Sequence, residues 1–165
     1  MWPNENSSRD EILKNIKIYS FNFLRNFSHK PWAQPYIDEA AKRAVKEDAI
    51  DFLCNFSDKP WAQPYLNEAA KIYVKRDTYS FLYHFSDATW AQPYVDEVTK
   101  MIIKENPFYF LHNFFKKPWA QPYIDDAVRE LAKKDPQYFL EKLANRFPQG
   151  INWALFALGG ENVAK

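Results

Sequence analysis

Glycine is nearly missing from this chain. Its 165 residues include three, Gly150, Gly159 and Gly160, all within the last 16 positions. A sheet protein of this size turns tightly many times, and such turns commonly take glycine at positive φ. The scarcity argues for helices. Cysteine is rarer still: Cys54 alone can close no internal disulfide and build no cysteine-rich zinc site. Three histidines, His29, His84 and His112, fall in no His-x-x-x-His pairing, and there is no glycine-rich phosphate loop or nucleophile elbow. No metal, cofactor or catalytic residue is expected. Nor is there an excess of charge of one sign, since 22 Lys and Arg stand against 21 Asp and Glu. Neutralising phosphates needs a cationic surplus, which argues against a nucleic-acid partner. The longest apolar run, residues 153–158, is far short of the roughly 20 residues that span a bilayer. The polar start MWPNENSSRDEILKN lacks a signal-peptide core. A cytoplasmic protein with no membrane partner is the expectation.

What the chain has in plenty is aromatic rings: 6 Trp, 10 Tyr and 14 Phe. They are placed with a period. Tryptophan stands at 32, 61, 90 and 119, and the text around it recurs as FLRNFSHKPWAQPY from Phe23, FLCNFSDKPWAQPY from Phe52, FLYHFSDATWAQPY from Phe81 and FLHNFFKKPWAQPY from Phe110. The step is 29 residues, and the first two windows agree at 12 of 14 positions. Residues 10–17 lie in register with 68–75, and residues 135–143 with 106–114, so the array starts and stops in mid-repeat.

Each repeat reads as two helices. Asp48, Asp77, Asn106 and Asp135 are spaced as N-caps of a short helix A, with Pro107 and Pro136 at its first position in two copies. Phe52, Leu53 and Phe56 give it a buried face. Pro60 then stops helix A, and a second helix B is expected from about Gln63 and Pro64, with acidic residues in its first turn and basic ones in its last. Gln34, Gln63, Gln92 and Gln121, and Asn26, Asn55 and Asn113, recur once per repeat and read as turn or cap hydrogen-bonders. Cys54 reads as a small, half-buried side chain of helix A. At the end, Pro148 falls where the next tryptophan is due, and residues 148–165 are expected to cap the last repeat.

Paired helices in short tandem copies resemble the α-solenoids, the tetratricopeptide and HEAT-like repeat proteins, although a period of 29 and the WAQPY text match neither consensus. The resemblance implies an all-α fold: one helical-repeat domain over residues 1–165, a right-handed α-solenoid of four full repeats and two half-repeats, with the array at 8–147. It implies a scaffold or adaptor that binds a protein or peptide along one face. Packing dictates the residues that repeat; a binding surface must lie among those that vary. Two such columns share a face of helix A: Asn22, Asp51, Ser80, Tyr109 and Tyr138, and, three residues on, Arg25, Cys54, Tyr83, His112 and Glu141. Tyrosine and arginine are enriched at interface hot spots, so this stripe is the expected partner contact. Two other readings stand beside it: a structural subunit that self-associates end to end through the C-terminal segment, and a helical-repeat nucleic-acid binder.

Overall fold

The computed structural model describes residues 2–159 and, among them, no strand. The chain divides into two compact units, residues 1–77 and 78–165. The first holds α1 (Arg9–Phe27), α2 (Ile37–Glu47), α3 (Ala49–Phe56) and α4 (Gln63–Arg76). The second holds α5 (Thr78–Phe85), α6 (Gln92–Glu105), α7 (Pro107–Phe114), α8 (Ile124–Lys134), α9 (Pro136–Lys142) and α10 (Ile151–Ala157).

In the first unit, α1 is two helices in one. Tyr19 sits in it with φ −137° and ψ 46°, outside helical values. It occupies the register position of Asp48, whose φ of −155° and ψ of 95° make the corner between α2 and α3. At Asp48 the carboxylate accepts the N–H groups of Ile50 and Asp51, at 3.0 and 3.1 Å. Tyr19 has no such oxygen to offer, and here the Ser20 hydroxyl instead donates to Glu47 on α2. The first half of α1 is thus a helix B and its second half a helix A. Its true start is a full capping box, with Ser8 accepting from the Glu11 N–H and Glu11 accepting from the Ser8 N–H.

In the second unit the same corners recur. Asn106 accepts the Tyr109 N–H at 2.9 Å and Asp135 accepts the Tyr138 N–H at 3.1 Å. Helices A are 7 or 8 residues long here, too short to hold alone in water, so burial must sustain them. Phe81, Leu82, Phe110, Leu111, Phe114 and Phe139 are buried accordingly, as Phe52, Leu53 and Phe56 are in the first unit.

The WAQPY segment has one structural job per residue in both units. Trp61 meets Phe52 edge-on at 6.2 Å and Phe56 at 5.2 Å, and Trp119 meets Phe110 and Phe114 at 6.1 and 5.4 Å. Ala62 and Ala120 are fully buried in a short 3-10 turn. The glutamine side chains of Gln34, Gln63, Gln92 and Gln121 donate to the carbonyls of Ser28, Ser57, Ser86 and Phe115, at 2.7, 3.1, 2.8 and 2.7 Å. Those carbonyls lie at the ends of helices A, where no intrahelical donor reaches them. Pro64 and Pro93 follow in the first turn of α4 and α6, where a missing N–H costs nothing.

Two expected boundaries move. In α2 and α8 the 3-10 turn continues through Pro35–Tyr36 and Pro122–Tyr123, and the α-helix starts only at Ile37 and Ile124. There the acidic pairs Asp38/Glu39 and Asp125/Asp126 occupy the first turn as expected. In α4 and α6 the α-helix opens a turn earlier, at the glutamine, and its first turn holds no acid.

The tail keeps the repeat with one residue added. The 3-10 turn Pro148–Gly150 and α10 follow Pro118 by 30 residues, so Gly150 takes the place of Ala120 and is likewise buried. A Cβ there would drive into the Phe139 ring and Val128. The acidic pair of the other copies becomes Leu155 and Phe156, 43% and 53% exposed. The segment packs on α8 and α9 while turning apolar side chains outward. Gly160 and the rest of the expected cap lie outside the described residues.

Candidate partner-binding face

In the first unit the four stripe residues, Asn22 and Arg25 on α1 and Asp51 and Cys54 on α3, are all exposed. The amide of Asn55 ties two of them: the Arg25 guanidinium donates to Asn55 Oδ1 at 3.2 Å, and Asn55 Nδ2 donates to the Asp51 carbonyl and carboxylate at 2.8 Å each. Asn55 therefore acts as the helix-end hydrogen-bonder its recurrence suggests. Cys54 is exposed, not half-buried, because it points off the outer face of a helix whose inner face takes Leu53. Partial desolvation, then the Asp51 and Asp48 charges, push its thiol pKa up, away from a reactive thiolate.

In the second unit the stripe is aromatic. Tyr83 on α5 is 61% exposed, with its ring edge-on to His84 at 5.3 Å. His112 on α7 and Glu141 on α9 are exposed; Ser80, Tyr109 and Tyr138 are half-buried. Tyr109 meets Tyr79 edge-on at 4.8 Å, and the Tyr79 hydroxyl donates to Glu105 at 3.1 Å. Burial, then that carboxylate, hold the Tyr79 pKa above its ordinary value. Tyr138 meets Phe108 edge-on at 5.6 Å, and Phe108 stacks on His112 at 5.6 Å.

Phe108 joins two members of the stripe and is itself 40% exposed, yet it belongs to neither column. Its own column, Phe21, Ile50, Tyr79, Phe108 and Gln137, also varies and lies one residue before the first. That variation was the signal that could have included it. Phe108, Leu131, Asp135 and Tyr138 line a recess of about 320 Å³ beside the stripe. The exposed groups of this face are flat rings, an imidazole and a carboxylate. Among the described residues no three His, Cys, Asp or Glu side chains stand together as a metal site would need, and no helix is long and apolar enough to cross a membrane.

No family model, no curated protein and no solved structure matches this chain.

Proposed function

We propose that the chain is a non-enzymatic interaction module, a cytoplasmic scaffold or adaptor built as an α-solenoid of 29-residue repeats, and that it binds a protein or peptide through helix A. The observation that carries this reading is the aromatic face of the second unit. Tyr83, Phe108 and His112 expose ring surface on the side of α5 and α7 away from the buried Phe-Leu pairs. Such residues supply large contact area at low entropic cost. Changing Tyr83, Phe108 and His112 together to Ala should remove partner capture and leave helical content and melting close to wild type. Tyr109 is spared in that variant because it packs on Tyr79. Capture that survives the triple change refutes the reading.

One observation favours a second reading, self-association through the C-terminal segment. Trp153, Leu155, Phe156 and Leu158 are exposed on one short stretch, and Leu155 and Phe156 stand where other repeats carry acidic residues. Under this reading, changing Leu155 and Phe156 to the Asp of their register abolishes concentration-dependent assembly in sedimentation. A chain that is monomeric at every concentration rules it out.

A further inference from the structure

In the first unit a cavity of about 770 Å³ lies between the front half of α1 and the start of α2. Its counterpart between α6 and α8 in the second unit holds about 330 Å³. Three substitutions in register set the two apart. Elsewhere a clasp crosses from one helix B to the next. The Tyr65 hydroxyl donates to Asp38 at 2.9 Å and Tyr123 to Asp96 at 3.0 Å, while Lys42 and Lys100 hold the same carboxylates at 2.8 Å. In the front groove the tyrosine is Tyr36, but the position of Asp38 and Asp96 is Arg9, and that of Lys42 and Lys100 is Leu13. The position of Glu130 is Arg43. The clasp cannot form and the groove stays open.

The groups left over have a common character. Arg9, Lys17 and Tyr36 line the cavity with no hydrogen bond or ion pair among the described residues. Of the lining acids, Asp38 is committed to Lys42 and Tyr65, while Glu39 is exposed and has no hydrogen bond or ion pair among the described residues. Arg43 is held by Glu47. Two free cations and a free hydroxyl donor, outnumbering the one free carboxylate of Glu39, therefore face Leu13, with Ile16 almost wholly buried behind it.

We infer that this groove binds a carboxylate carried on an apolar body, of the kind a peptide presents at a leucine C-terminus. The carboxylate replaces the missing Asp, taking a charge-assisted pair from Arg9 and Lys17 and the Tyr36 hydroxyl, and the side chain lies on Leu13. The cavity is of the size that small ligands fill. The inference is independent of the helix A face, since it uses helix B of the first unit and stands if that face binds nothing.

The test is a titration of the full chain by NMR with three probes: the peptide acetyl-Gly-Gly-Leu as free acid, the same peptide as amide, and inorganic phosphate. The acid should shift α1 and α2 resonances saturably, with the amide and phosphate each at least tenfold weaker. Arg9→Asp with Leu13→Lys restores the clasp of the other repeats and should abolish acid binding; Tyr36→Phe should weaken it several-fold in a chain whose fold is untouched. No saturable shift by the acid, an equal response to the amide or to phosphate, or undiminished binding in both variants overturns the inference.

Discussion

In the first unit the outer face of α1 and α3 carries Asn22, Arg25, Asp51 and Cys54, with Arg25 and Asp51 linked through the amide of Asn55. In the second unit the same register positions of α5, α7 and α9 carry Tyr83, Tyr109, His112 and Tyr138, the last two joined by the ring of Phe108. Beneath these faces the two units are built alike. Tryptophan packs on two phenylalanines, glutamine closes the end of helix A, and an aspartate or asparagine caps the next one, in each. A scaffold that recurs so closely leaves the outer face free, and the first unit shows that a polar face serves the fold as well as an aromatic one. In the second unit Tyr83, Phe108 and His112 remain exposed, while Tyr109 rests on Tyr79 and Tyr138 on Phe108.

The comparison breaks most sharply if the shared scaffold is not equally strong. Phe52→Ala and Phe110→Ala remove equivalent, fully buried rings and should each cost about 3–5 kcal/mol by denaturant unfolding. A near-silent substitution at either position would show that one unit does not rest on the repeat core. Next in size is Gly150→Ala. Alanine is standard at this position in the other repeats, yet here its methyl meets Phe139 and Val128, and about 1–3 kcal/mol should be lost. A neutral outcome would mean that α10 can slide, and that the added residue before it is slack.

The tyrosine–aspartate clasp sharpens the likeness through pH. Hydrogen bonds from Lys42 and then Tyr65 hold the Asp38 carboxyl below its ordinary range, and Lys100 and Tyr123 do the same to Asp96. Carboxyls lowered in the folded state stabilise it above the unfolded value, about 3.9, and that support is lost as pH falls through the lower folded one. Asp38→Asn and Asp96→Asn should each flatten the acid side of the melting profile, to a similar degree. On the alkaline side, burial and then Asp38 push the Tyr65 pKa up to about 12. Its contribution is complete below 10.0, its ordinary value, and fades as pH rises toward 12. Tyr65→Phe should remove that alkaline loss, read by melting between pH 9 and 12.

The smallest effect expected is at Thr99, buried on α6 with a hydroxyl that finds no partner among the described residues. The first unit has Ala41 and Ala70 in this position. Thr99→Val keeps the shape and removes the stranded group, and should raise stability by up to about 1 kcal/mol.

The helical class and the repeat were legible because each repeated residue answers a local demand. Asp48 must accept orphan amides, Gln63 must donate to a helix-end carbonyl, and Phe52 must be buried; four copies of one text make those demands visible. The 3-10 path through Pro35–Tyr36 was not, because the choice between two turn geometries there is small and rests on packing. The tail hid its register behind a single added residue, which carried the tryptophan position onto Gln149 and put Gly150 in the place of an alanine. The stripe was legible as variation. What variation alone could not give was depth: it treats Tyr83 and Tyr109 alike, though one ring is exposed and the other rests on Tyr79.

Side-chain radical footprinting of the full chain, free and with its captured partner, puts the central claim to the most direct test. Tyr83, Phe108 and His112 should lose reactivity on binding, while Trp153 and Phe156 and the exposed residues of the first unit's helices keep theirs. Unchanged reactivity at those three rings, with protection confined to α10 or to the first unit, would contradict the account.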